Sequence, residues 1–250
     1  MRLVQFKHPS GTRGVAVSSG AAANIVNGAT STYDLAMSAI ADGKSLAEVV
    51  ETAGLGETLD LPAALADGRV LAPIDHPDTA HLYMTGTGLT HLGSADARDK
   101  MHKDSKADPA TLTDSMKMFR MGVEGGKPAS GEIGAQPEWF YKGDGSSVIA
   151  PGAAFPSPDF ALDGGEEPEI AGIYVIGPDG TPHRLGFALG NEFSDHITER
   201  QNYLFLAHSK LRVASFGPEL RVGPLPGDVR GSSRIKRDGA TVWELSLIHI

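Results

Sequence analysis

Residues 164–196, GGEEPEIAGIYVIGPDGTPHRLGFALGNEFSDH, place two apolar runs on either side of Pro178-Asp179-Gly180. Proline, aspartate and glycine are the residues of a tight turn, and strand-forming runs beside such a turn predict an antiparallel hairpin. The carboxylates at the open end of this hairpin decide the reading. Glu167 and Glu169 are two apart, so they project to one face if the strand begins near them. Pro168 between them cannot donate a ladder hydrogen bond, which suits the first residues of a strand or an edge. The second strand returns antiparallel, so Glu192 at its far end comes level with the start of the first. Carboxylates gathered in this way raise one another's pKa unless a positive charge relieves them. Hard divalent ions prefer such oxygen ligands and leave positions open for substrate. Asp195 and His196, just beyond the polar exit of the second strand, are alternative ligands. A solvated acidic turn is the competing reading of Asp163–Glu169.

The rest of the chain limits the setting. It has 250 residues, no cysteine, 40% hydrophobic residues and a formal net charge of −9. No disulfide can form, so nothing points to an oxidising compartment. The opening MRLVQFKHPS has no long apolar run and no small-residue cleavage site, and no run in the chain approaches membrane-spanning length. The acidic balance argues against nucleic acid as a partner. The expectation is a cytoplasmic protein with a small-molecule substrate, and neither nucleic acid nor membrane as partner.

Element signals follow in chain order. RLVQFKHPSGTRGVAVSSG, residues 2–20, predicts two short strands about a Pro-Ser-Gly turn. Ser31 caps a helix that Gly43 ends. Ser45 and Glu48 form a capping box for a second helix, ended by Gly54. A Pro- and Asp-rich break around residues 66–80 closes a small N-terminal α+β domain, taken as residues 1–72. Residues 73–250 then read as a larger, β-rich domain. In it the spacing predicts a helix from about Thr111 to Gly125, a strand about Phe140–Lys142, a short helix over residues 198–210, and a hairpin about Asp238-Gly239. The class is α+β, β-rich.

Several segments of the second domain together resemble the fumarylacetoacetate hydrolase superfamily. The Glu167-Pro168-Glu169 pair and GFALGNEFSDH (186–196) correspond to its metal-binding strand pair. SKLRVASFGPEL (209–220) corresponds to its Lys segment, WFYKGDGSS (139–147) to its Lys-bearing strand, and GTGLTHLGSADARDKMH (86–102) to the segment that ends in a catalytic His. The order and spacing of the set are specific, whereas each match alone is weak. The resemblance implies a fumarylacetoacetase-like β-fold. It implies Mg²⁺ or Mn²⁺ held by Glu167, Glu169 and Glu192, and His91 and Lys210 as the proton-transferring residues. It implies Lys142, Arg98 and Ser94 as substrate-binding residues, a 2-oxo acid substrate and a homodimer. Two positions depart from the pattern. The third ligand is Glu192 where Asp is usual, and Ser94 stands where a Glu normally completes a His-Glu pair that activates water. That argues against plain hydrolysis.

The wording of residues 190–212 is most similar to the sugar-acid branch, the 2-keto-3-deoxypentonate (arabonate) dehydratases. This implies enolisation of a 2-keto acid at C3, assisted by the metal as Lewis acid, and loss of the C4 hydroxyl. Alternatives are a C–C hydrolase, decarboxylase or isomerase acting on another 2-oxo acid, and a non-catalytic binding protein or inactive fragment. The family pattern continues past TVWE with further strands, whereas here only LSLIHI follows. The sequence therefore reads as truncated at its C-terminus, with a foreign end that is not expected to pair as a family strand.

Overall fold

The computed structural model describes residues 1–86, 112–135 and 139–248. These divide into two compact units, Met1–Met84 with Lys142–Leu225, and Thr85–Tyr141 with Pro226–Ile250.

The first unit is built on an eight-stranded sheet. Its strands are β1 (Arg2–Lys7), β2 (Arg13–Ser18), β3 (Ala22–Val26), β4 (Leu55–Asp60), β7 (Pro168–Ile176), β8 (Pro182–Asn191), β9 (Ser215–Phe216) and β10 (Leu220–Val222). The order is β4-β3-β2-β1-β10-β8-β7, with β9 also paired to β8. The first four strands are thus hydrogen-bonded, through β10, into the sheet that carries the hairpin. The unit holding residues 1–72 also holds residues 142–225, so the compact division does not fall at the expected 72/73 boundary. The cause is β1, which pairs with β10 some two hundred residues later, Arg2 opposite Arg221 and Leu3 opposite Leu220.

Alternation along the strands gives the sheet two buried faces. Leu3 and Val15 join one cluster with Ile173, Val175, Leu185 and Leu220, covered by α1 (Thr32–Asp42) and α2 (Leu46–Ala53) through Leu35, Ala36, Leu46 and Val50. Val4, Phe6 and Ala16 face the other way, onto Leu61 and Ala64 of α3 (Leu61–Ala66). The expected caps are present. The Ser31 side chain accepts from Asp34 N, and Ser45 and Glu48 form the capping box. Strands β3 and β4 and helix α3 were not foreseen, because LGETLD has no strong strand pattern and α3 follows it without a break.

Gln5 is a polar residue inside this core. Its Nε2 donates to Ala72 O at 2.8 Å, and its Oε1 accepts from Thr32 N, the first residue of α1, at 2.8 Å. One side chain therefore satisfies a helix-terminal N–H and a loop carbonyl that burial would otherwise leave unpaired.

In the second unit, Thr113 caps α4 (Asp114–Gly125), and Leu112, Met116 and Phe119 form a small apolar cluster. Strands β11 (Arg230–Arg237) and β12 (Ala240–Ile248) form a hairpin whose turn has Asp238 and Gly239 at positive φ. β12 includes residues 245–248, with Leu245 opposite Ser233 and Leu247 opposite Gly231. The expectation that this end would not pair is therefore corrected. Ladder hydrogen bonds are made by backbone N–H and C=O groups, so an extended segment can pair whatever its side chains. Strands β5 (Tyr83–Gly86) and β6 (Phe140–Asp144) lie where the chain passes from one unit to the other. Among the described residues, no helix is long and apolar enough to cross a membrane.

Replacing Gln5 with Leu keeps the volume and removes these hydrogen bonds, together with longer ones to Asp75 and from Arg13. Leaving Thr32 N and Ala72 O unpaired should cost about 2–4 kcal/mol. Urea denaturation checks this, and an unchanged midpoint would show that Gln5 does not hold α1.

Candidate functional site

The site lies at the open end of the β7–β8 hairpin. Pro168 is opposite Asn191 and Glu169 opposite Gly190. One step outward, Glu192 N donates to Glu167 O at 2.9 Å, and Asn191 Oδ1 accepts from Glu167 N at 3.1 Å. Gly165 and Ser194 then exchange both backbone hydrogen bonds. Glu167 and Glu192 are therefore neighbours by pairing, and Glu169 shares the face of Glu167 by strand periodicity. The three side chains each offer an oxygen within 4.8 Å of one another.

The positive charge that such a group requires comes from Lys210. It ends a segment that the sequence predicted as one helix. The structure breaks that segment into α5 (His196–Gln201), a 3-10 turn at Tyr203–Phe205 and α6 (Leu206–Lys210). Asn202 causes the break, because its backbone is extended at φ −162 and ψ 141. The chain doubles back there, so the end of α6 meets the start of α5, where Asp195 N donates to Ser209 O at 3.1 Å. The Lys210 ammonium, 7% exposed, donates to Glu167 Oε1 and lies 3.9 Å from Glu192 Oε2. Glu167 therefore has an ion-pair partner, the relief that such a gathering of carboxylates requires. A buried triad of like charges without a cation would carry both its desolvation and its mutual repulsion.

Each carboxylate responds to its own surroundings. Burial works against the charge of Glu167, but the Lys210 ammonium and hydrogen bonds from Lys210, Ser194 and His196 outweigh it, and the pKa falls below its ordinary value. Glu192 goes the other way. Burial pushes it up to about 7, a rise that the attraction of Lys210 and Lys142, itself opposed by Glu167 and Glu169, does not cancel. Its buried Oε1 has no hydrogen-bond partner among the described residues. That orphaned oxygen, in an all-oxygen donor set, fits a hard divalent cation.

Lys142, on β6, is 3% exposed. Its ammonium donates to Phe193 O and, at 2.6 Å, to Lys210 O. Burial lowers its pKa to about 8 against the opposing pull of Glu192. It ties the backbone that follows Glu192 to the backbone of Lys210. Asp195, the first alternative ligand, is wholly buried and committed elsewhere. It accepts from Leu162 N at 2.9 Å and Thr198 N at 2.8 Å, and it pairs with Arg212 at 3.2 Å. These donors overcome the effect of burial and hold its carboxyl well below the usual range. His196, the second alternative, is 3.0 Å from Glu167 Oε1, and with Glu167 and Glu199 it forms a further candidate ligand group. His91, Ser94 and Arg98 lie outside the described residues. The clamp formed by Lys142 and the Asp195–Arg212 pair was missed as such. Their burial was the only available signal, and sequence does not show it.

No family model and no curated protein matches the sequence. Solved structures do. The chain is similar to 2-keto-3-deoxyarabinonate dehydratase in a hexagonal crystal form, at 19% identity and a TM-score of 0.65, over 99% of this chain and 77% of that one. It is similar to 2-keto-3-deoxy-D-arabinonate dehydratase complexed with magnesium and 2,5-dioxopentanoate, at 18% identity and 0.63, over 99% and 76%. It is also similar to 5-carboxymethyl-2-hydroxymuconate delta-isomerase from Mycobacterium smegmatis, at 16% identity and 0.50, over 98% and 76%. At these identities the likeness establishes a shared fold, and the β-rich fold that the resemblance implied is the one observed.

Glu192 binds a proton more tightly folded than unfolded, so between its ordinary value of 4.5 and about 7 the folded chain holds the extra proton. Its contribution is nil below that window, and it destabilises increasingly through the window and fully above it, by up to about 3 kcal/mol. Glu192→Gln should therefore flatten the loss of stability of the metal-free chain as pH rises from about 4.5 to about 8. Urea melts with chelator present would show parallel profiles for the two proteins if Glu192 were ordinary.

Proposed function

We propose that the chain is a divalent-cation-dependent enzyme that dehydrates a 2-keto-3-deoxy sugar acid. The observation that carries this is the convergence of Glu167, Glu169 and Glu192 around a nearly buried Lys210. Glu167, Glu169 and Glu192 would hold the cation, and Mg²⁺ or Mn²⁺ suits their oxygens. When bound, the cation supplies Lewis acidity toward the oxygens of a 2-oxo carboxylate.

The chain's own groups provide the rest. Lys210 holds its Nζ at the edge of the carboxylate group, where it can take or return a proton beside the reacting carbons. Its backbone is fixed through Lys142, so the amine does not have to be ordered at the moment of reaction. The net change is loss of one water: the C3–H and C4–OH bonds break to give a 2-oxo-3-enoate, and transfer of a C5 proton to C3 and of the C5 hydroxyl proton to C4 turns the hydroxymethyl end into a semialdehyde. His91 is the second proton-transfer candidate, with Arg98, Ser94 and Lys142 as substrate contacts. A soluble homodimer is the expected form.

Isomerisation of a 2-oxo acid is the second reading, supported by the fold shared with the delta-isomerase. The carboxylate group serves either reaction. A panel of 2-keto acids assayed with Mg²⁺ separates them, since dehydration yields a semialdehyde and isomerisation conserves the formula.

Two variants test the assignment. Glu169→Gln keeps the shape and removes a charged ligand, so Mg²⁺ affinity should fall at least roughly tenfold by calorimetry. Lys210→Met should still bind the cation while turnover drops by about a hundredfold or more. Unaltered Mg²⁺ binding in the first variant would remove the metal assignment. Full turnover in the second would remove Lys210 from the chemistry.

A further inference from the structure

His196 opens α5, and the chemistry above gives it no task. Its Nε2 is 3.0 Å from Glu167 Oε1, the oxygen that also takes the Lys210 ammonium. Its Nδ1 is 3.7 Å from Asp163 Oδ2. The ring has little freedom. A Cβ on Gly165 would fall 2.3 Å from Nδ1, and Gly165 is itself locked to Ser194 by two backbone hydrogen bonds. The backbone on the other side is held by Asp195, which caps α5 and binds Ser209 O.

We infer that His196 is a positioning residue for the cation site. With its proton on Nε2 it donates to Glu167 Oε1, and together with Lys210 it sets the plane of that carboxylate before a cation arrives. This rests on the metal reading given above. The physical need is plain. Glu167 lies just outside the paired residues of β7, and a glutamate side chain loses up to about 2 kcal/mol of rotamer entropy when fixed. Two donors converging on one oxygen fix it in advance. Partners behind a ligand typically alter metal affinity by roughly ten- to a hundredfold. Direct ligation by His196, through the Glu167–His196–Glu199 group, is the competing role that an experiment must separate.

The probe is Mn²⁺ alone on the 250-residue chain, with affinity read by calorimetry and the ligand set by pulsed electron paramagnetic resonance. His196→Leu should bind Mn²⁺ roughly ten- to a hundredfold more weakly. His196→Gln, whose amide nitrogen can stand where Nε2 stands, should recover most of that loss. His196→Asn, too short to reach Glu167, should not, and it serves in place of the Leu variant if that one fails to fold. The bound Mn²⁺ of the wild-type chain should show no nitrogen coupling. Wild-type affinity in the Leu or Asn variant, or equal weakness in the Gln variant, would overturn the positioning role while leaving the metal site standing. Nitrogen coupling that vanishes with His196 would also overturn it, by making the residue a ligand. A wild-type chain that binds no Mn²⁺ would end the metal reading and this inference with it.

Discussion

Like charges gathered in a half-dry place are what the rest of the site answers to. Antiparallel pairing of β7 with β8 brings Glu167 and Glu192 side by side, and strand periodicity adds Glu169. Without a cation this arrangement would either protonate or push the strand ends apart. Lys210 relieves this by placing one ammonium against Glu167 and within 3.9 Å of Glu192. Its attraction does not cancel the effect of burial on Glu192, whose carboxyl is pushed up to about 7.

The structure spends several long-range contacts on holding that ammonium in place. The break at Asn202 folds α6 back on the start of α5, and Lys142 grips the carbonyls of both Phe193 and Lys210. Beneath them the Asp195–Arg212 pair is almost fully buried. Asp195 and Glu192 make an instructive contrast, three residues apart and with opposite shifts. Asp195 receives two backbone N–H groups and a guanidinium, which hold its ionised form against the effect of burial. Glu192 has a buried oxygen without a donor. A fully satisfied carboxylate organises structure, whereas an unsatisfied one is available to a ligand.

The fold itself does not select a reaction. Proteins similar in fold to this chain include a dehydratase and an isomerase. Chemistry therefore has to be argued from the side chains at the hairpin's open end and not from the sheet that supports them. Glu192, where the family that the sequence resembles has Asp, is one such position. The longer Glu192 side chain still reaches Glu167 and Glu169 from the neighbouring strand, with an oxygen of each within 4.8 Å of the others.

What could be read from the residues was what neighbouring residues settle among themselves. The caps at Ser31 and Ser45, the turn at Asp179-Gly180 and the hairpin at Asp238-Gly239 are local hydrogen-bonding and backbone preferences, and each appears as expected. The convergence of Glu167, Glu169 and Glu192 was legible in outline because a tight turn joins the two strands, whereas the pairing of Glu167 with Glu192 also depends on the register shift between Ile173 and Tyr174, which no turn signal shows. Lys210 was legible only through a family resemblance, and the roles of His196, Lys142 and Gln5 were not legible at all. Those three act on partners 27 to 68 residues away, through contacts that exist only once β1, β6 and α5 have packed. Tertiary structure alone decided them, because burial and charge pairing depend on which distant segments share a volume, and no local pattern encodes that.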